Sequence, residues 1–156
     1  SAVGDLLKAY GKTLSTAESC TGGMISSLIT SVAGSSEYFL GSVTSYANEV
    51  KENVLGVPAE IIAEHGAVSS ECVAAMAEGV RRITSSDYSV ATSGIAGPGG
   101  GSEEKPVGTV WIGVSSDNGT ETFRLKFNSD RKRNIERFSS SALHILLNKI
   151  KKELNN

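Results

Sequence analysis

The segment Glu18-Ser19-Cys20-Thr21-Gly22-Gly23 sets a carboxylate, two hydroxyls and a thiol side by side where a strand-like run gives way to a helix-like one. The first turn of a helix has backbone N–H groups without partners inside the helix, and these collect an anion or a developing oxyanion. A nucleophile such as Ser19 placed there has stabilising donors beside it. The competing reading is a cap: Ser19 or Thr21 accepts from the helix start, and Gly22 and Gly23 permit a tight turn. Cys20 is a second candidate nucleophile, because a helix N-terminus stabilises thiolates.

A hydroxyl nucleophile needs a base. The chain has two histidines. His65, in "AEHGAV", reads as a helix end and His144 falls within the last helix, so a Ser-His-Asp arrangement is disfavoured. A lysine buried enough to lose its proton is the other candidate. Lys51, in "SYANEVKENV", follows a strand end, with Tyr46 and Asn48 close by. A surface lysine opening a helix is the alternative. A second loop, "SGIAGPGGGSEEKPVGTV", exposes bare backbone at Gly94, Gly97, Gly99 and Gly100, which suits close approach of a ligand or a phosphate. It follows no nucleotide-binding fingerprint, since a strand rather than a helix comes after it. Neither H-E-x-x-H nor C-x-x-C occurs, so neither a metal nor another cofactor is expected.

The elements that must hold these residues can be read from periodicity. Leu6, Leu7 and Tyr10 mark a short helix ended by Gly11, and residues 12–18 read as a strand. Met24, Ile25, Leu28, Ile29 and Val32 form one helical stripe, which Gly34 closes. Residues 38–46 read as a strand, "ANEVKENVLG" as a helical turn or two, and Pro58 as the start of another. Ser69 is a plausible N-cap for a helix over residues 70–85, with Val73, Met76, Ala77, Val80 and Ile83 on one face. "DYSVATSGIA" is a strand entering the glycine loop. "TVWIGVSS" and "TETFRLKF" form a hairpin around Asp117-Asn118-Gly119. A last helix follows Asp130, with Leu143, Leu146, Leu147, Ile150 and Leu154 as its expected buried side. The order predicts one α/β layered domain over residues 1–156, a mixed β-sheet covered by helices on both faces.

Bulk properties narrow the function. A chain of 156 residues fits a single domain and needs no staple. A net charge of -2 disfavours a nucleic-acid partner. Six basic residues between Arg124 and Arg137 could serve a phosphate or form a solvated helix face. Cys20 and Cys72 make no disulfide framework, which together with the lack of a signal-like start implies reduced thiols in the cytoplasm. No apolar run reaches membrane-spanning length, so no membrane partner is expected.

The motifs "STAESCTGG", "VTSYANEVKENVLGV", "EHGAVS", "SGIAGPGGGSEEKPVGTVW" and "FNSDR" resemble, in order and spacing, the C-terminal domain of the CinA (competence-damage-inducible) proteins. The likeness runs from about Leu6 to the final helix. It implies a nicotinamide-nucleotide amidase, a hydrolase converting nicotinamide mononucleotide to nicotinic acid mononucleotide and ammonia in NAD salvage. The implied nucleophile is Ser19, the base Lys51 and the accompanying tyrosine Tyr46, with no metal. Backbone around Thr21, Gly22 and Gly23 is expected to hold the oxyanion, and Glu18 belongs to the same substrate-binding motif. The loop carrying Gly94, Ala96, Gly97, Gly99 and Gly100, together with Arg131, is expected to grip the 5′-phosphate, with Arg133 and Lys105 as helpers. Asn128-Ser129 stands where many relatives have Ser-Gly. The resemblance further implies a homo-oligomer, a dimer or larger, in which a neighbouring subunit can complete the pocket. A non-catalytic nucleotide-binding or regulatory module of the same fold is the alternative.

Overall fold

The structure is a computed structural model describing residues 1–155. Its centre is a five-stranded sheet in the order β2-β1-β3-β4-β5. β1 (Leu14–Glu18) pairs in parallel with β2 (Phe39–Thr44) on one side and β3 (Tyr88–Gly94) on the other. β3, β4 (Thr109–Ser116) and β5 (Gly119–Lys126) continue the sheet antiparallel, β4 and β5 as the expected hairpin.

Helices cover both faces, as the alternating pattern predicts. On one face lie α1 (Ala2–Tyr10), α2 (Met24–Thr30) and α6 (Arg131–Leu154), packed over Leu14, Val90, Val110, Ile112 and Val114. On the other lie α4 (Ala59–His65) and α5 (Ser70–Thr84), preceded in the chain by α3 (Asn48–Asn53). The sheet residues under α5 are small: Ser15, Ala17, Ser89, Ala91 and Gly113. Their size allows α5 a close approach. The Ser89 hydroxyl donates to the Ala77 carbonyl at 2.6 Å, and a Cβ at Gly113 would stand 2.8 Å from the Val73 carbonyl oxygen.

Two elements differ from expectation. α2 ends at Thr30 with Ser31 as its cap, short of Val32 and Gly34. The buried line of α6 is Phe138, Ala142, Leu146 and Ile150, with Lys149 beside it, while Leu143, Leu147 and Leu154 are only half-buried. Residues four apart stay on the core-facing stripe, and the Leu-rich side drifts to its flank.

The topology fixes where a ligand can bind. From β1 the chain crosses by α2 to β2, then returns by α5 on the opposite face to β3 beyond β1. The connections leave β1 and β3 in opposite directions, which opens a crevice beyond their carboxyl ends, the usual ligand site of an open α/β sheet. Ser19 and Ser93-Gly94 stand there.

Candidate active site

Beyond β1, the backbone of the motif is held by both neighbouring strands. The Ser19 N–H donates to Thr92 O at 3.1 Å, and the Ser45 N–H donates to Glu18 O at 2.7 Å. Ser19 is thereby fixed at the floor of a cavity of about 250 Å³, whose walls include Cys20, Tyr46, Ser93 and Arg131. Gly94, Ala96, Gly97, Gly99 and Gly100 line the same cavity, and Ala67 and Val68, from the α4–α5 connection, close its side.

The helix start is capped by Glu18, not by Ser19 or Thr21. The fully buried Glu18 carboxylate accepts from the N–H groups of Gly23 (3.2 Å), Ile25 (2.9 Å) and Ser26 (2.9 Å), and from the Thr21 hydroxyl (2.7 Å). Thr21 Oγ1 in turn lies 2.8 Å from Thr92 Oγ1. A carboxylate on several N–H donors at a helix N-terminus is a strong, charge-assisted cap. This relieves Ser19 of capping and leaves it lining the cavity. It also occupies donors that the sequence pattern left for an oxyanion. The Gly23 N–H goes to Glu18 and the Gly22 N–H to Ser19 O at 3.0 Å. Glu18, Thr21, Gly22 and Gly23 therefore form the wall behind Ser19, outside the set that lines the cavity.

Lys51, on the short helix α3, is 1% exposed. Its Nζ donates to the carbonyl oxygens of Ser45 (2.8 Å) and Tyr46 (3.1 Å), and among the described residues no carboxylate pairs with it. Burial pushes its ammonium below the ordinary 10.5. The Cys20 and Cys72 sulfurs oppose this shift only as thiolates. Burial holds both thiols protonated, with Cys20 pushed up to about 12 and Cys72 to about 11. A thiol so poorly ionised is a weak nucleophile, which counts against Cys20. Cys72 sits in the core under α5.

Tyr46 touches the site in two ways. Its carbonyl holds Lys51, whereas the residue as a whole is 63% exposed and its hydroxyl accepts from Arg131 Nη2 at 3.2 Å. Arg131 also donates through Nη1 to Gly97 O at 2.8 Å, so it spans the cavity mouth from Tyr46 to the glycine loop. At Gly97 the backbone has φ +89°, a conformation that favours glycine.

The two helper cations lie elsewhere. Arg133 is exposed and 3.8 Å from Asp130, while Lys105 donates to the His65 carbonyl beside a separate cavity walled by Trp111 and Arg124. His65 borders that second cavity and His144 an apolar groove, so neither histidine lines the Ser19 cavity. Among the described residues no group of three His, Cys, Asp or Glu side chains is placed to hold a metal ion.

Ser45, Thr92, Ser93 and Asn134 contribute to the site without having been marked by the sequence pattern. Ser45 acts through backbone atoms, which carry no compositional signal. Thr92 and Ser93 end a buried strand and read as strand residues. For Asn134, the signal is a polar residue one helical turn after Arg131.

Fold and cavity together define an α/β domain with a pre-formed cavity at the switch point of its sheet. The chain belongs to the CinA C-terminal domain family, which residues 1–150 match. It is 46% identical over 149 residues to a CinA-like protein of Cytophaga hutchinsonii, covering 96% of this chain and 36% of the relative. With a CinA-like protein of Pseudothermotoga lettingae it is 50% identical over 146 residues, 94% of this chain and 36% of that one. The chain thus spans about a third of the length of these curated relatives. The crystal structure of competence damage-inducible protein A from Klebsiella pneumoniae superposes with a TM-score of 0.92 at 38% identity, over 96% of this chain and 92% of that one. A competence/damage inducible protein from Agrobacterium tumefaciens gives 0.88 at 35% identity, over 95% and 96% of the two chains.

Proposed function

We propose that this domain is an amidohydrolase that deamidates nicotinamide mononucleotide, with Ser19 as nucleophile and Lys51 as general base. The observation that carries the reading is the state of Lys51: buried, without a carboxylate partner among the described residues, and held by two carbonyl oxygens. A neutral amine has two N–H groups and one lone pair. In that neutral form, which burial favours, the two carbonyl acceptors would use both N–H groups and leave the lone pair to take a proton.

In the proposed reaction Ser19 Oγ attacks the carboxamide carbon while Lys51 Nζ takes the hydroxyl proton. The carbonyl oxygen becomes an oxyanion. Its donors are the N–H groups of Cys20 and Thr21, which make no backbone hydrogen bond among the described residues. Each such donor contributes about 3–4 kcal/mol in comparable sites. The C–N bond then breaks, the Lys51 ammonium protonates the departing nitrogen, and ammonia leaves a nicotinoyl ester on Ser19. Lys51, neutral again, takes a proton from water as the hydroxide adds to the ester carbonyl; when the C–O bond breaks, the Lys51 ammonium returns that proton to Ser19 Oγ and the acid product leaves as its carboxylate. Tyr46 fixes the lysine through its carbonyl and, through its ring, bounds the substrate pocket. Arg131 and the Gly97–Gly100 backbone receive the 5′-phosphate. The Arg131→Ala variant is the check on that last assignment, since it must raise KM for the mononucleotide.

The reading is tested by measuring ammonia and nicotinic acid mononucleotide released from nicotinamide mononucleotide by the wild type and by Ser19→Ala, with binding followed by calorimetry. Turnover by the wild type, lost in the variant while binding persists, supports the amidase. Binding without turnover in the wild type would make the domain a nucleotide-binding module.

A further inference from the structure

Asn134 is 0% exposed on the first turns of α6, an unusual place for an amide. Its side chain makes three hydrogen bonds. Nδ2 donates to Ala96 O (3.0 Å) and Ser129 O (3.0 Å), and Oδ1 accepts from the Ser129 N–H (3.2 Å). The exchange with Ser129 closes a ring that fixes the turn before α6. The remaining bond reaches across to the glycine loop. Three residues earlier on the same helix, Arg131 donates to Gly97 O, the carbonyl next along the loop. Two successive loop carbonyls are therefore held by two side chains one helical turn apart, the buried one neutral and the outer one charged.

The consequence is geometric. Arg131 is the first residue of α6, and its direction depends on where that turn sits relative to Gly97. Asn134 ties that turn, through Ser129, to the loop at Ala96 O, one residue before Gly97. Ala96, Gly97, Gly99 and Gly100 line the cavity, so the buried amide sets the spacing between the loop backbone and the guanidinium without touching the cavity itself. Ser19 and Lys51 are held instead from β1, β2 and β3, through bonds in which Asn134 takes no part.

We infer that Asn134 is a positioning residue for the anion-binding half of the cavity, and through it a determinant of selectivity for a phosphorylated pyridine ribonucleoside over the unphosphorylated one. This rests on the proposed placement of the phosphate between Arg131 and the glycine loop. A role in stability alone would weaken binding of both compounds together. A role in positioning the phosphate grip affects only the phosphorylated one.

The test compares nicotinamide mononucleotide with nicotinamide riboside, by calorimetry and by steady-state kinetics, on the wild type, Asn134→Asp and Asn134→Ser. Asn134→Asp keeps the size and the Oδ1 acceptor but removes the donors to Ala96 O and Ser129 O. Asn134→Ser is smaller and leaves room for water to take over those bonds, so it stays informative if the aspartate variant folds poorly. Each variant is assayed below its own unfolding temperature. The expected result is a rise in Kd and KM for the mononucleotide of about tenfold or more, with kcat changed less than about threefold and riboside affinity unchanged. Equal losses for both compounds, or unchanged mononucleotide affinity in a folded variant, would overturn the assignment. If the wild type binds the mononucleotide but releases no ammonia, the amidase reading fails while the ratio of the two Kd values still decides the role of Asn134.

Discussion

The molecule buries two lysines and treats them in opposite ways. Lys149 of α6 is 4% exposed, and its Nζ lies 2.6 Å from Glu121 and 2.8 Å from Glu153. The Glu153 carboxylate also accepts from Ser116 and Tyr88. Desolvation lowers the pKa of Lys149, but its bonds to the two carboxylates prevail and hold the ammonium above its ordinary value. Lys51 is buried as deeply with carbonyl oxygens alone, and its pKa is lowered. Burial therefore does not by itself make a lysine a base. The partners decide whether the buried group keeps its proton, and the two lysines separate an ion-paired anchor from a group whose proton is more easily lost.

The comparison breaks most visibly in activity. Lys51→Met is expected to lower kcat/KM for the mononucleotide by about 10²–10⁴, the usual range for losing a general base. Lys149→Met, remote from the cavity, should stay within about threefold of the wild type. Similar losses in both variants, measured by ammonia release, would erase the distinction.

Stability should give the reverse order. Lys149→Met strands two carboxylates. Breaking a buried pair costs roughly 3–5 kcal/mol, and the 53% exposure of Glu121 reduces this to about 2–3 kcal/mol. Urea unfolding midpoints check it. A smaller loss, about 1–2 kcal/mol, is expected for Glu18→Gln, in which the remaining oxygen can accept where Oε1 does but the amide N–H₂ must face the Ser26 N–H.

The smallest effect is a difference of sign with pH. The folded pKa of Lys51 is lowered, so between that value and 10.5 the unfolded chain binds more protons and stability rises with pH. Measured against Lys51→Met, the wild type should gain stability as pH rises from the lowered folded pKa towards 10.5. The folded pKa of Lys149 is raised, so its contribution is complete below 10.5 and is lost as pH climbs through the folded value. Measured against Lys149→Met, the wild type should lose ground above 10.5. Parallel trends in the two pairs would contradict the comparison.

The sequence reveals the architecture because periodicity and punctuation carry it. Gly11, Ser69 and the Asp117-Asn118-Gly119 turn mark boundaries found in the structure, whereas α2 ends at Thr30, short of Gly34. It also locates the cavity residues Ser19, Tyr46 and Arg131. What escapes it depends on three-dimensional pairing. No spacing rule connects Glu18 to the N–H groups of Ile25 and Ser26, yet that cap decides what Ser19 is free to do. Nor does a pattern show that Lys51 meets the backbone of Ser45, or that Asn134 meets Ala96 across 38 residues. The burial of Lys51 follows from long-range packing of α3 and is invisible in the charged run "NEVKEN".

The most direct test of the central claim is the pH dependence of kcat/KM for nicotinamide mononucleotide between pH 6 and 9. A Lys51 whose free lone pair takes the Ser19 proton predicts a rate that climbs with pH as the ammonium deprotonates, with the climb absent from the residual activity of Lys51→Met. A flat wild-type profile across that range would contradict a titrating lysine at this site.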